Sequence, residues 1–192
     1  MSEISQVQLL RDVRLALQSG DYQQAIVALK QAAELAHASS DLGTAGRHLG
    51  NLALIYYRIR QPQRALQAFD QALTYARNEG DHLTESGLLG NIGNILRELG
   101  RPQEAIQHLE QALKIAQETG DIRGRGIWLS NLGLVYDDLR QPQRAVELHS
   151  QAVAIARQLQ DQRGLASRLA NLGNSYVSLQ NYPDAIKHFE EA

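Results

Sequence analysis

The chain has 192 residues, a formal net charge of −2 and no cysteine. A charge of that size draws neither a nucleic-acid backbone nor an anionic membrane surface, and the missing thiols exclude disulfide scaffolds, thiol catalysis and cysteine-based zinc sites. Aromatic residues make up 5% and there are 4 prolines, a composition that favours long helices over sheet and, with no run near the roughly 18 apolar residues of a membrane helix and no leader pattern in Met1-Ser2-Glu3-Ile4-Ser5-Gln6, points to a cytoplasmic protein without a membrane segment.

After a short polar lead, a first helix reads to about Gly20 through Val7, Leu10, Val13 and Leu17. A second runs from Tyr22 to about Ala38 through Ala25, Ile26, Leu29, Ala32, Ala33 and Ala36. This pair is a diverged first unit, with Arg11 where later units carry Asn. Further units open at Asp41, Asp81, Asp121 and Asp161, at a spacing of 40 residues. Aspartate is a strong N-cap because its carboxylate accepts from free backbone N–H groups of the first turn. Gly80 and Gly120 stand where a left-handed residue ends the preceding helix.

The first helix of each later unit carries one apolar stripe. In the third it is Leu129, Leu132, Gly133, Tyr136 and Leu139. The same offsets give Leu49, Leu52, Ala53 and Tyr56, then Leu89, Ile92, Gly93 and Leu96, then Leu169, Leu172, Gly173 and Tyr176. Those offsets fit a 3.6-residue period and exclude a strand. The turn Arg60-Gln61-Pro62-Gln63-Arg64-Ala65 recurs as Arg140-Gln141-Pro142-Gln143-Arg144-Ala145. Proline at the first position of a helix loses no hydrogen bond. Second helices then alternate small and large residues, as in Ala65, Phe69, Ala72 and Leu73, which lets two helices approach closely. Gly93, Gly133 and Gly173 each cost about 1 kcal/mol of helix propensity, and close approach of the partner helix is the expected offset.

The expected fold is an all-α solenoid of antiparallel helix pairs in a single array over 1–192. Its units run approximately 5–40, 41–80, 81–120, 121–160 and 161–192. A stack near this period buries its stripes only between neighbours. Ala192 aligns with Ala152, so the last helix is short and its apolar face uncovered. A piece of a longer array, or an end-on contact through that helix, is expected.

Small residues after Asn-Leu, Tyr three residues on, and Ala opening the second helix resemble the tetratricopeptide repeat. Leu129, Leu132, Gly133, Tyr136, Ala145 and Ala152 carry the resemblance in the third unit, and it extends over about 5–192. The long period is most similar to LGN/Pins-type scaffolds and kinesin light chain, and similar repeats form sensor arrays of bacterial signalling ATPases and caspase-like proteases. The resemblance implies a right-handed superhelix whose first helices line a concave peptide-binding groove.

Helical geometry places the candidate binding residues opposite the core stripe. They are Arg47, Asn51, Tyr57 and Arg58, then Asn91, Asn94 and Arg97, then Asn131, Leu134, Asp137 and Asp138, then Asn171 and Asn174. The residue before each repeated Asn is Gly50, Gly90, Ser130 or Ala170, which leaves room for a ligand backbone. Asn offers a donor and an acceptor and so reads a peptide bond regardless of side chain. In related arrays the matching Asn residues hold a peptide main chain. The same Asn also suits a bond to the neighbouring unit, and both readings stay open. Asn94 and Asn174 alternate with Leu54 and Leu134 and are better guides to specificity. Arg11, Arg14, Arg47, Arg58 and Arg97 bias the early units positive, whereas Asp137 and Asp138 make the third acidic. A ligand with acidic residues first and a basic residue near the third unit would match, and solvated surface charge is the alternative. The lysine pattern that clamps a C-terminal carboxylate in chaperone-binding relatives is absent, since its place holds Gly50, Gly90, Ser130 or Ala170.

His149, in the column of Phe69, Leu109 and Phe189, reads as a packed neutral imidazole, with a pH-sensitive switch as the alternative. Trp128 reads as partly buried between units, with a binding anchor as the alternative. No histidine spacing suits a metal, no phosphate loop or nucleophile motif occurs, and neither a cofactor nor catalysis is expected. The leading functional expectation is a non-enzymatic module that binds an extended segment of an unidentified protein. The alternatives are a regulatory sensor array in a larger ATPase or protease and an end-to-end self-assembling scaffold.

Overall fold

The computed structural model describes residues 5–192; the polar lead at 1–4 lies outside the described residues. These residues form ten α-helices and no strand, so the fold is all-α, a helical repeat solenoid. The chain divides into two compact units, residues 1–88 and 89–192. The first contains α1 (Gln6–Ser19), α2 (Tyr22–Ala38), α3 (Leu42–Arg58), α4 (Pro62–Glu79) and the opening of α5 (His82–Glu98). The second holds the rest of α5, α6 (Pro102–Glu118), α7 (Ile122–Asp138), α8 (Pro142–Gln158), α9 (Gln162–Ser178) and α10 (Tyr182–Glu191). Consecutive helices pack in antiparallel pairs: α1 to α4 in the first unit, α6 to α10 in the second.

The caps follow the sequence closely. Asp41, Asp121 and Asp161 accept from the N–H groups of Thr44, Gly124 and Gly164 at 3.0, 2.9 and 3.0 Å. Asp81 takes the same bond from Thr84 at 3.0 Å. Hydrogen bonds from the Thr44 side chain, then its backbone, hold the Asp41 carboxyl below its ordinary range, and Thr84 does the same for Asp81. Pro62, Pro102 and Pro142 open α4, α6 and α8.

The turns hold a feature with half the sequence period. A left-handed residue stands every 20 positions from Gly20 to Gln180. Glycine fills four of these places, but Ser40, Arg60, Arg140, Gln160 and Gln180 hold φ between 53° and 60° without it. Each lets the next N–H reach back to close the preceding helix, as from Gln61 to the Tyr56 carbonyl at 2.8 Å and from Gln141 to the Tyr136 carbonyl at 2.9 Å. A non-glycine residue in this conformation costs about 1 kcal/mol. Ser40→Gly and Gln160→Gly are therefore expected to stabilise by about 0.5–1 kcal/mol each, part of the relief being offset by greater freedom of the unfolded chain. Denaturant midpoints check this; unchanged or lowered midpoints would contradict it.

The cores lie where the two stripes of a pair meet. Leu52, Ala53 and Tyr56 are buried with Ala65, Phe69 and Ala72 in the first unit. Leu129 packs with Ala152 and Ile155, and Val153 with Leu169 and Leu172, in the second. Each fully buried large aliphatic residue contributes about 1.5–3 kcal/mol. The glycines of the stripe are explained by contact. A Cβ on Gly133 would stand 2.6–2.8 Å from the His149 ring, and one on Gly173 2.6–2.9 Å from the Phe189 ring. At Gly93 it would meet Leu109 Cγ at 2.6 Å. The side chain of the partner helix lies over the bare backbone in all three pairs.

Candidate interaction face

On the first helices, burial separates two faces. Asn51, Leu54 and Arg58 are exposed on α3, with Tyr57 half-buried beside them. On α7, Ile127 and Asp138 are exposed, and Asn131 and Leu134 half-buried. On α9, Asn174, Val177 and Ser178 are exposed and Asn171 half-buried. Asn91, Asn94 and Arg97 are half-buried on α5. Leu54, Ile127 and Val177 are 46%, 37% and 43% exposed, which adds an apolar component to a face otherwise made of amides and charges.

The Asn column does not act as one set. Asn171 Nδ2 donates to Ser130 Oγ at 3.4 Å, from α9 to α7, which is a bond between neighbouring helix pairs. Among the described residues, the side chains of Asn51, Asn91 and Asn131 make no hydrogen bond. The amide that stays outward keeps its donor and acceptor for another molecule.

Charges on this face engage one another. Arg97 Nη1 donates to Asp138 Oδ2 at 2.9 Å. Asp137 turns inward: Ser175 Oγ lies 2.9 Å from both its carboxylate oxygens, and His149 Nε2 lies 3.2 Å from Oδ2. A carboxylate only accepts, so the imidazole carries its proton on Nε2 in this bond. Arg58 stacks over the Tyr22 ring at 5.5 Å, and Arg47 donates to Thr44 Oγ1 at 2.6 Å. The expected division into a positive early part and an acidic third unit is corrected on this point. Arg97 and Asp138 neutralise each other and Asp137 serves the seam of α7, α8 and α9, which weakens the acidic third unit, while Arg47 and Arg58 make no ion pair among the described residues and leave the early part positive.

A second correction concerns the small residues before the Asn column. The space beside Gly90 is filled by the Trp128 ring, which is 8% exposed, and Leu88 Cδ2 stands 3.5 Å from a Cβ on Gly50. Room expected for a ligand backbone is thus occupied by the next unit's side chain. His149 is fully buried, as the packed-imidazole reading requires, with its Nδ1 left without a partner. Sequence reasoning missed Ser175 and Arg168, both buried. Arg168 Nε donates to the Gly126 carbonyl at 3.4 Å, and Nη1 lies 3.7 Å from Asp161. The available signal for Ser175 was its offset from Asp137, the same as that of Leu88 from Gly50 and of Trp128 from Gly90.

Among the described residues there is no cluster of three side chains able to hold a metal, and no helix long and apolar enough to cross a membrane. Models of the tetratricopeptide repeat match residues 10–82, 84–158 and 124–192. The chain belongs to the tetratricopeptide repeat family. No curated protein matches this repeat array over its sequence. Among solved structures it is similar to BtubC (BKLC) from P. vanneervenii, with a TM-score of 0.86 and 21% identity over 95% of this chain and 76% of that one. It is also similar to the nearly identical TPR-like repeats of a putative kinesin light chain from Podosopora anserina, with a TM-score of 0.76, 22% identity, and 97% and 94% of the two chains covered. A STAND signal transduction ATPase with a tetratricopeptide repeat sensor, from Pyrococcus horikoshii, aligns with a TM-score of 0.83 and 19% identity. That alignment covers 96% of this chain and 30% of that one. A tetratricopeptide array is characteristically a surface for protein interaction.

Proposed function

We propose that this array holds an extended segment of a partner protein against the exposed face of its first helices. The observation that carries the reading is the pairing of an unbonded amide with an apolar side chain one turn on: Asn51 with Leu54 on α3, and Asn131 with Leu134 on α7. The amide suits a peptide bond and the apolar neighbour a ligand side chain. Each amide bond contributes about 0.5–1.5 kcal/mol, so affinity requires several together. Asn91, Asn94, Asn174, Arg47, Arg58, Tyr57 and Val177 complete the set; Asn171, Arg97, Asp137 and Asp138 support it from intramolecular bonds.

The test compares partner capture by the native chain with capture by Asn51→Ala/Leu54→Ala and Asn131→Ala/Leu134→Ala variants of matched stability. A common set of proteins is expected to fall by about tenfold or more in both variants, while Gln71→Ala on α4 retains it. Capture lists identical to the native one for both double variants would remove the first-helix face as the site. A sensor segment within a larger signalling ATPase is the second reading. It is supported by the likeness to the STAND sensor structure, of which the alignment covers 30%. The complete gene tests it: no ATPase or protease domain alongside the array would rule it out.

A further inference from the structure

Between α2 and α4 an open cavity of about 570 Å3 lies over α3. Its floor is Leu49, Leu52 and Tyr56, and its sides include Ala33 of α2 and Ala68 of α4. Small-molecule sites occupy roughly 300–1,000 Å3 and combine apolar walls with a few polar groups.

The chain supplies its own comparison. Eighty residues on, Leu113 and Leu148 take the places of Ala33 and Ala68 and pack against Leu129, Ala152 and Ile155. The floor and one cation repeat: Leu49, Leu52 and Tyr56 recur as Leu129, Leu132 and Tyr136, Arg64 lies 5.9 Å over the Tyr56 ring, and Arg144 lies 5.3 Å over Tyr136. The cavity therefore results from two isobutyl groups reduced to methyls, in a packing that the same chain fills elsewhere. Tyr75 replaces Ile155, and its hydroxyl meets His37 Nδ1 at 2.9 Å, which makes one end of the cavity polar.

Lys30 and Arg64 also line the cavity, one from each helix, against one carboxylate, Glu34. Among the described residues none of the three is ion-paired, and Arg64 donates only to Gln61 Oε1 at 2.9 Å. A guanidinium with free donors is suited to bidentate contact with a carboxylate. The geometry points to a binding site for a small carboxylate with an aromatic or branched apolar body. The body rests on Leu49, Leu52 and Tyr56 between Ala33 and Ala68, and the carboxylate meets Arg64 and Lys30. This site is independent of the peptide-binding reading of the first helices.

Isotope-labelled protein is titrated with phenylbutyrate, phenylbutanol and phenylbutylamine while amide resonances are followed. Phenylbutyrate is expected to shift amides around Ala33, Leu52 and Gln71 saturably, with a Kd of about 1 mM or tighter. The alcohol is expected to bind about fivefold more weakly and the amine more weakly still. The Ala33→Leu/Ala68→Leu variant, which installs the residues found at 113 and 148, is expected to abolish the shifts without lowering the unfolding midpoint. Lys30→Gln/Arg64→Gln leaves the cavity open and is expected to equalise acid and alcohol. Undiminished phenylbutyrate binding by the filled variant would overturn the inference. So would an amine as strong as the acid in the native chain, an acid preference that survives loss of both cations, or no saturable shift at millimolar concentration.

Discussion

Asp137→Ala is expected to lower the unfolding free energy by about 3 kcal/mol, far more than an exposed aspartate on a helix end would. Surface substitutions away from special contacts stay within about 0.5 kcal/mol. Asp137 differs because its carboxylate serves two groups with no exposure to water, the Ser175 hydroxyl and the His149 ring. Without it Ser175 keeps only the Asn171 carbonyl at 3.2 Å. His149 fares worse, because its Nδ1 already lacks a partner and its Nε2 then loses one too. An orphaned buried polar group costs about 1–3 kcal/mol, and one and a half such losses set the figure. The control is Asp138→Ala, one residue on. Its bond to Arg97 lies on an aspartate side chain 53% exposed to water, where an ion pair contributes about 0.2–1 kcal/mol. Denaturant unfolding of the two variants decides the matter: equal effects would mean that the inward network does not bear on stability.

The contrast between these neighbouring aspartates shows what was legible in the sequence. Leu132, Gly133 and Tyr136 marked the core stripe because aliphatic, small and large apolar residues recur there with the repeat, and on the second helix His149 covers Gly133 and Arg144 lies over the Tyr136 ring. A helical wheel then places Asn131 and Asp138 well away from Gly133, but Asp137 only roughly 40° from it. At that angle a short carboxylate is neither core nor face. Which way it turns depends on Ser175 and His149, two residues from other helices, and periodicity within one helix carries no such information. The left-handed turn residues escaped for a related reason. Gly20, Gly80, Gly100 and Gly120 announce the conformation, whereas Ser40, Arg60, Arg140, Gln160 and Gln180 adopt it because the closing bond of the turn demands it. The unbonded amides of Asn51 and Asn131 were legible as candidates, while the bond from Asn171 to Ser130 required the serine of the preceding pair to be seen beside it.

Gly90→Ala and Gly50→Ala are expected to change stability in opposite directions, although the two glycines share one column of the repeat. In a helix interior, alanine gains about 1 kcal/mol over glycine. At Gly50 the nearest atom to the new Cβ is Leu88 Cδ2 at 3.5 Å, an ordinary contact, so stability is expected to rise by about 0.5–1 kcal/mol. At Gly90 the Cβ falls within the van der Waals envelope of the Trp128 six-membered ring. That ring is 8% exposed, and moving it displaces packed neighbours. Overpacking typically costs about 1–3 kcal/mol, and the size of the clash puts Gly90→Ala near a net loss of about 2 kcal/mol. Trp128→Leu, which restores the side chain used at Leu88, is expected to recover much of that loss in the double variant, with a coupling of about 1–2 kcal/mol. If the column instead kept open space for a ligand, alanine would stabilise the free protein at both positions and the two substitutions at 90 and 128 would be additive. The sign at Gly90 and the coupling to Trp128 thus separate packing between repeats from space reserved for a partner, with no need to know the partner.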